Sequence, residues 1–215
     1  MRYAIGIVAH LDRLERAERL ADLVDARHLS YDDGTKGCTG NHLFVWDALA
    51  KSGLAMKDWG VVLEDDAEPI PGFSDQLQAA LAAAPAPIVS LYLGTGYPVH
   101  WQGRVKRAVD AADSWIVSDS SLIHAVGVAI KADLIADMLD SATSDGKPLR
   151  PIDEKISAWA RASHHFVAYT QPSLVDHADD GSIIGIHPDG MPRTKPRKAW
   201  KVGGRENWRS RPVLL

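Results

Sequence analysis

The sequence predicts an α/β fold around a central, mainly parallel sheet. Two observations carry that expectation. Short apolar runs alternate with amphipathic helical stretches through about residue 95. The 215 residues, 46% apolar and 24% charged, suit one substantial domain with its own core.

The run YAIGIVA, beginning at Tyr3, reads as a buried strand. LDRLERAERLADLVDA follows, with Leu14, Leu20, Leu23 and Val24 near helical spacing. RHLSYDDG reads as a second strand closing in a turn. In GNHLFVWDALAKSG, Leu43, Trp46, Leu49 and Ala50 share a helical face and Gly53 can end the helix. WGVVLEDD is a third strand, FSDQLQAALAAA a helix and APIVSLYLG a fourth strand. RVKRAV, SWIVS and HAVGVAIK read as short strands, the last feeding the helix ADLIADMLDSA. PIDEKISAWARAS is a helix with proline at its start, and HFVAYTQP a late strand. Periodicity ends after Asp179.

Bulk properties exclude several classes. The net charge of −4 gives no electrostatic case for a nucleic-acid partner. No apolar run is long enough for a membrane span, and the start reads as a strand rather than a leader. The single cysteine, Cys38, rules out an intrachain disulfide and is compatible with a reducing cytosol, so a cytoplasmic protein is expected. Cys38 itself reads as a packing thiol. Charge is uneven. From His187 onward eight Lys and Arg face only Asp189 and Glu206, a net of +6, so the preceding residues carry −10.

The third strand runs straight into Glu64-Asp65-Asp66. Adjacent carboxylates beside a core repel one another and resist desolvation, so something positive is expected to meet them. A hard divalent cation such as Mn²⁺ or Mg²⁺ takes oxygen ligands from carboxylates and substrate phosphates. On an extended chain Glu64 and Asp66 point one way and Asp65 the other. Ligands of open α/β sheets bind outside the carboxyl ends of strands, where His10, Arg13, Asp32 and Asp33 also fall. A surface turn or a helix cap is the alternative reading of the three acids.

The block GTKGCTGNHLFVWDALAKSG to DWGVVLEDDAEPIPGF resembles glycosyltransferase family 25, the lipooligosaccharide-type and collagen galactosyltransferase group. The matching positions are Gly37, Cys38, His42, Trp46 and Leu63-Glu64-Asp65-Asp66, with Asn41 where that family usually has Ser. The resemblance is specific over residues 37–73. Weaker echoes lie in HAVGVAIKADLIADML, PID and QPSLVDH. It implies a GT-A (Rossmann-like nucleotide-diphospho-sugar transferase) fold over residues 1–185. It also implies transfer from a nucleotide-sugar, UDP-sugars favoured, to an acceptor hydroxyl, with Mn²⁺ and inversion.

On that reading Asp66 is the first metal ligand, with Glu64 beside it. His177 is a third, since neutral imidazole suits Mn²⁺, and it reads as lying in a polar loop after a strand. Asp153 is the candidate base, or else an N-terminal helix stabiliser. His10, Arg13, Asp33, His42, Glu64 and Asp65 are the candidate donor contacts. Trp101 and Trp115 are sugar-stacking candidates or core residues. Residues 186–215 form a basic irregular tail, expected to be loosely held and to close over the diphosphate through Arg193, Lys195 or Arg205. The alternatives are a nucleotide-sugar or carbohydrate-binding domain without catalysis, and a nucleotidyltransferase of related fold. A haloacid-dehalogenase-type loop in SYDDGT fails because its nucleophile position is Tyr31.

Overall fold

The computed structural model describes residues 1–179 and 197–215. The first strand, β1 (Tyr3–His10), is flanked in parallel by β2 (His28–Asp32) and β3 (Trp59–Glu64). The crossovers are α1 (Leu14–Val24) and α2 (Gly37–Ala50). Side chains alternate along β1 and β3 and divide the core between the two sheet faces. Ala4, Val8 and Val62 join one cluster with Val45, Trp46 and Leu49 of α2. Ile5, Ile7, Val61 and Leu63 join the other with Leu20 of α1. Helix α2 lies so close to β1 that a Cβ on Gly6 would meet Val45 Cγ1 at 2.3 Å. Only glycine leaves room for that approach.

Beyond the short β4 (Ala67–Pro69) and α3 (Phe73–Ala83), the chain adds β5 (Ile88–Ser90), α4 (Gln102–Ala111), β6 (Trp115–Ser118) and β7 (Gly127–Lys131). It continues with α5 (Ile135–Ser144), α6 (Ile152–Ala162), β8 (Val167–Thr170), β9 (Val175–His177) and β10 (Val213–Leu214). The main sheet runs β10-β6-β8-β5-β7-β3-β1-β2. It is mixed. Four of its pairings are parallel, while β7 is antiparallel to both β3 and β5, and β6 to β8. The expected α/β class is present, with this antiparallel insertion in its middle.

RVKRAV is helical, not a strand. Val105, Ala108 and Val109 are buried at helical spacing in α4. Arg104, Val105 and Lys106 alternate basic and apolar and so give a false period of two, which Arg107 already breaks.

The described part of the tail is built into the domain rather than loosely held. Trp208 is buried, and its carbonyl accepts the Trp115 indole N–H at 2.6 Å. The Trp200 indole N–H donates to Gln102 Oε1 at 3.0 Å, and β10 pairs with β6. The Arg205 backbone N–H donates to Gln76 Oε1 at 2.8 Å, and its guanidinium to the carbonyls of Asp113 and Gln171. Arg205 therefore anchors the tail rather than standing ready for a phosphate. Arg193 and Lys195 lie outside the described residues. Among the described residues no helix is long and apolar enough to cross a membrane.

Candidate functional site

The strand β3 ends at Glu64, and Asp65 and Asp66 form the turn that follows. Alternation therefore stops at Glu64, and the expected opposite facing of Asp65 and Asp66 does not occur. Both converge on Arg13, whose Nη1 donates to Asp65 Oδ1 at 2.8 Å and to Asp66 Oδ2 at 2.9 Å. This guanidinium is the positive group the acids require. Burial works against its charge, but the two carboxylates more than offset that and raise its pKa.

Each of the three acids has a different role. Asp65 has both oxygens engaged, since Oδ2 accepts the His10 backbone N–H at 2.9 Å. It pins the loop after β1 to the turn after β3. Glu64 meets His42 of α2, with Oε1 3.1 Å from Nε2. Asp66 is 7% exposed, and its Oδ1 is buried without a hydrogen-bond partner among the described residues. Its pKa is raised, first by burial and then by the charge of Glu64, with the His177 imidazole pulling the other way. A buried carboxylate oxygen with no donor is costly. It is the observation at this site that calls for a cation or a proton.

His177 reaches Asp66 through a two-stranded ribbon. β4 and β9 are antiparallel with Ala67 opposite His177, and the Ala178 N–H donates to the Asp66 carbonyl at 2.9 Å. His177 is thus the buried last residue of a strand rather than part of a polar loop. Its Nε2 lies 3.3 Å from Asp66 Oδ2, and its Nδ1 accepts the Asp179 N–H at 2.9 Å. That acceptor role puts the proton of a neutral ring on Nε2, facing Asp66. Burial lowers the His177 pKa and Arg197 adds to the effect, while Asp66 opposes it. Nε2 becomes a free ligand only if the Asp179 N–H turns away.

Asp153, at the start of α6, belongs to the same end of the sheet. Its pKa is pushed up to about 7 by burial, and the charge of Glu64 adds to the shift. The Glu154 N–H donates to its Oδ1 at 3.0 Å. The structure thus gathers Arg13, His42, Glu64, Asp65, Asp66, Asp153 and His177 from five separate stretches of sequence.

It does not gather every candidate. Asp33 is exposed and accepts the Thr35 N–H at 3.0 Å, holding its own turn. His10 contributes its backbone, while its ring accepts the Asp12 N–H at 3.2 Å. Trp115 is a core residue, 1% exposed. Cys38 is exposed rather than packed, although its thiol stands beside His42 and Glu64.

Sequence reasoning missed Tyr92 and Arg197. The Tyr92 ring centroid lies 6.2 Å from that of His177, and its hydroxyl donates to the Arg197 carbonyl. The Arg197 backbone N–H donates to Asp179 Oδ1 at 3.0 Å. Arg197 is therefore the described tail cation beside the site. A tyrosine just beyond the carboxyl end of a strand of an α/β sheet was a usable signal for Tyr92; Arg197 is one basic residue among eight and carried none. No family model matches this chain, and no curated protein matches it.

Proposed function

We propose that the chain is a metal-dependent glycosyltransferase of GT-A type. It would move a sugar from a nucleotide-diphosphate donor, UDP-sugars favoured, to an acceptor hydroxyl with inversion. The observation that carries this reading is Asp66 Oδ1, which has no hydrogen-bond partner among the described residues and is set beside Glu64 at the carboxyl end of β3. Open α/β sheets bind ligands at that edge.

The carboxylates are of the type a divalent cation takes, but among the described residues Asp66, Glu64 and His177 do not bring three ligand atoms within 4.8 Å of one another, so an ion would have to draw them together. Asp65 and Asp66 face the Arg13 guanidinium, which leaves one negative charge on that group when both are ionised, while Glu64 faces His42. Asp66 and Glu64 would supply hard oxygen ligands of the kind Mn²⁺ or Mg²⁺ takes, and His177 would be available as a further ligand only with its Nδ1 released from the Asp179 N–H. Such an ion, when bound, supplies charge stabilisation for the departing diphosphate.

The protein's own groups do the rest. Asp65 and Arg13 hold the β1 and β3 loops together, so Asp66 is fixed before any ligand arrives. Burial keeps water away from Asp66 and strengthens its electrostatic interactions. Asp153 takes the acceptor proton. A base with a pKa of about 7 is ionised in a useful fraction at neutral pH and still accepts a proton readily.

The test is release of free nucleoside diphosphate from a panel of nucleotide-sugars, with and without Mn²⁺, in the presence of simple glycoside acceptors. Mn²⁺-dependent release that falls at least about a hundredfold in Asp153→Asn supports the reading. Binding of a nucleotide-sugar with no turnover for any acceptor supports the binding-domain alternative instead.

A further inference from the structure

We infer that Cys38, His42 and Glu64 form a second metal site, selective for Zn²⁺ and similar borderline-soft ions. The inference does not rest on the transferase reading.

Cys38 and His42 are four residues apart on α2, hence on one face of the helix. Glu64 reaches them from the end of β3. One ligand atom from each of the three lies within 4.8 Å of the other two. Nε2 of His42 and Oε1 of Glu64 are already 3.1 Å apart. In a tetrahedral zinc site, metal–ligand distances of about 2.0–2.3 Å put two N or O ligands about 3.3 Å apart, and S and N about 3.6 Å apart. The His–Glu edge matches that spacing as it stands. Any remaining closure falls on Cys38, which is exposed and so able to turn without disturbing the core.

The donor set decides the ion. A thiolate and an imidazole favour Zn²⁺ over Mn²⁺ or Mg²⁺, which prefer oxygen. Three protein ligands leave a fourth position open, and exposed Cys38 sets it toward solvent. His42 is 1% exposed, so packing holds its ring in place before an ion arrives. Binding would form bonds from the metal to Cys38 Sγ and to the His42 ring nitrogen now paired with Glu64, and both the thiol proton and the proton of that imidazole would pass to solvent. Glu64 stands between this site and Asp66, close enough to raise the Asp66 pKa. The two donor sets therefore share one carboxylate.

The test is titration of the full, reduced chain with Co²⁺ as a spectroscopic substitute, followed by displacement with Zn²⁺. The expected result is one Co²⁺ per chain with a thiolate-to-metal charge-transfer band in the near ultraviolet and strong tetrahedral visible bands, all removed by Zn²⁺. Cys38→Ala, at an exposed position that does not threaten folding, abolishes the charge-transfer band and weakens binding at least about tenfold. Asp66→Asn leaves the thiolate band in place, which separates this site from any Mn²⁺ site at Asp66. Co²⁺ binding without a thiolate band, affinity unaltered by Cys38→Ala, or no uptake by the folded chain would each overturn the inference. Failure of Mn²⁺-dependent nucleotide binding would leave it standing.

Discussion

Replacing Asp153 by Asn should make the protein more stable and less active. The carboxyl ionises near pH 3.8 in an unfolded chain and near 7 in the folded one. Over that interval the folded state holds the extra proton, so stability falls as pH rises from about 3.8 through about 7. Roughly three units at about 1.4 kcal/mol each set a ceiling of about 4 kcal/mol. Asp153 keeps part of its surface in water, which screens the repulsion, so a gain of about 1–2 kcal/mol is expected for the neutral amide. Asn keeps an oxygen for the Glu154 N–H, so the helix start is preserved. For a chain of this size the gain corresponds to about 2–8 °C in Tm. Thermal unfolding followed by circular dichroism near pH 8 and near pH 5 measures it. The gain should be larger near pH 8, where the native carboxylate is charged. A destabilised variant near pH 8, or an equal gain at both values, would refute the reasoning. In the wild type, turnover should rise with pH through about 7, because a base works only when ionised.

Other perturbations test the scaffold. Arg13→Ala strips the shared guanidinium from two buried carboxylates and should cost about 3–5 kcal/mol in urea unfolding; a loss under about 1 kcal/mol would mean that the ion pair does not organise the turn. Trp208→Ala empties a buried site against Trp115 and should cost about 3–5 kcal/mol, showing the tail to be part of the fold. Gly6→Ala should destabilise by about 1–3 kcal/mol, since its methyl would strike Val45.

The first three strands and their helices were legible because their apolar periods are long and their turns are marked by Gly and Asp. So was the importance of the acids after β3, because three charges at the end of an apolar run conflict with burial unless a partner exists. The partner was not legible. Arg13 and Asp66 are 53 residues apart, and one Arg in an amphipathic helix start carries no mark of its target. The ribbon of β4 and β9 was invisible because two strands of three residues leave no period to read. Yet that ribbon helps bring His177 to Asp66. The tail misled for a related reason. Its basic composition suggested a solvated arm, while the anchors of its described part, Trp200, Trp208 and Arg205, act through scattered long-range contacts rather than a sequence pattern.

The most direct measurement of the central claim is a calorimetric titration of UDP into wild type and Asp66→Asn, each with and without Mn²⁺. The account predicts that wild type binds UDP much more tightly with Mn²⁺. It predicts that the variant, still folded by circular dichroism, loses that enhancement by at least about tenfold. UDP affinity indifferent to Mn²⁺ in the wild type, or an enhancement that survives in Asp66→Asn, would contradict it.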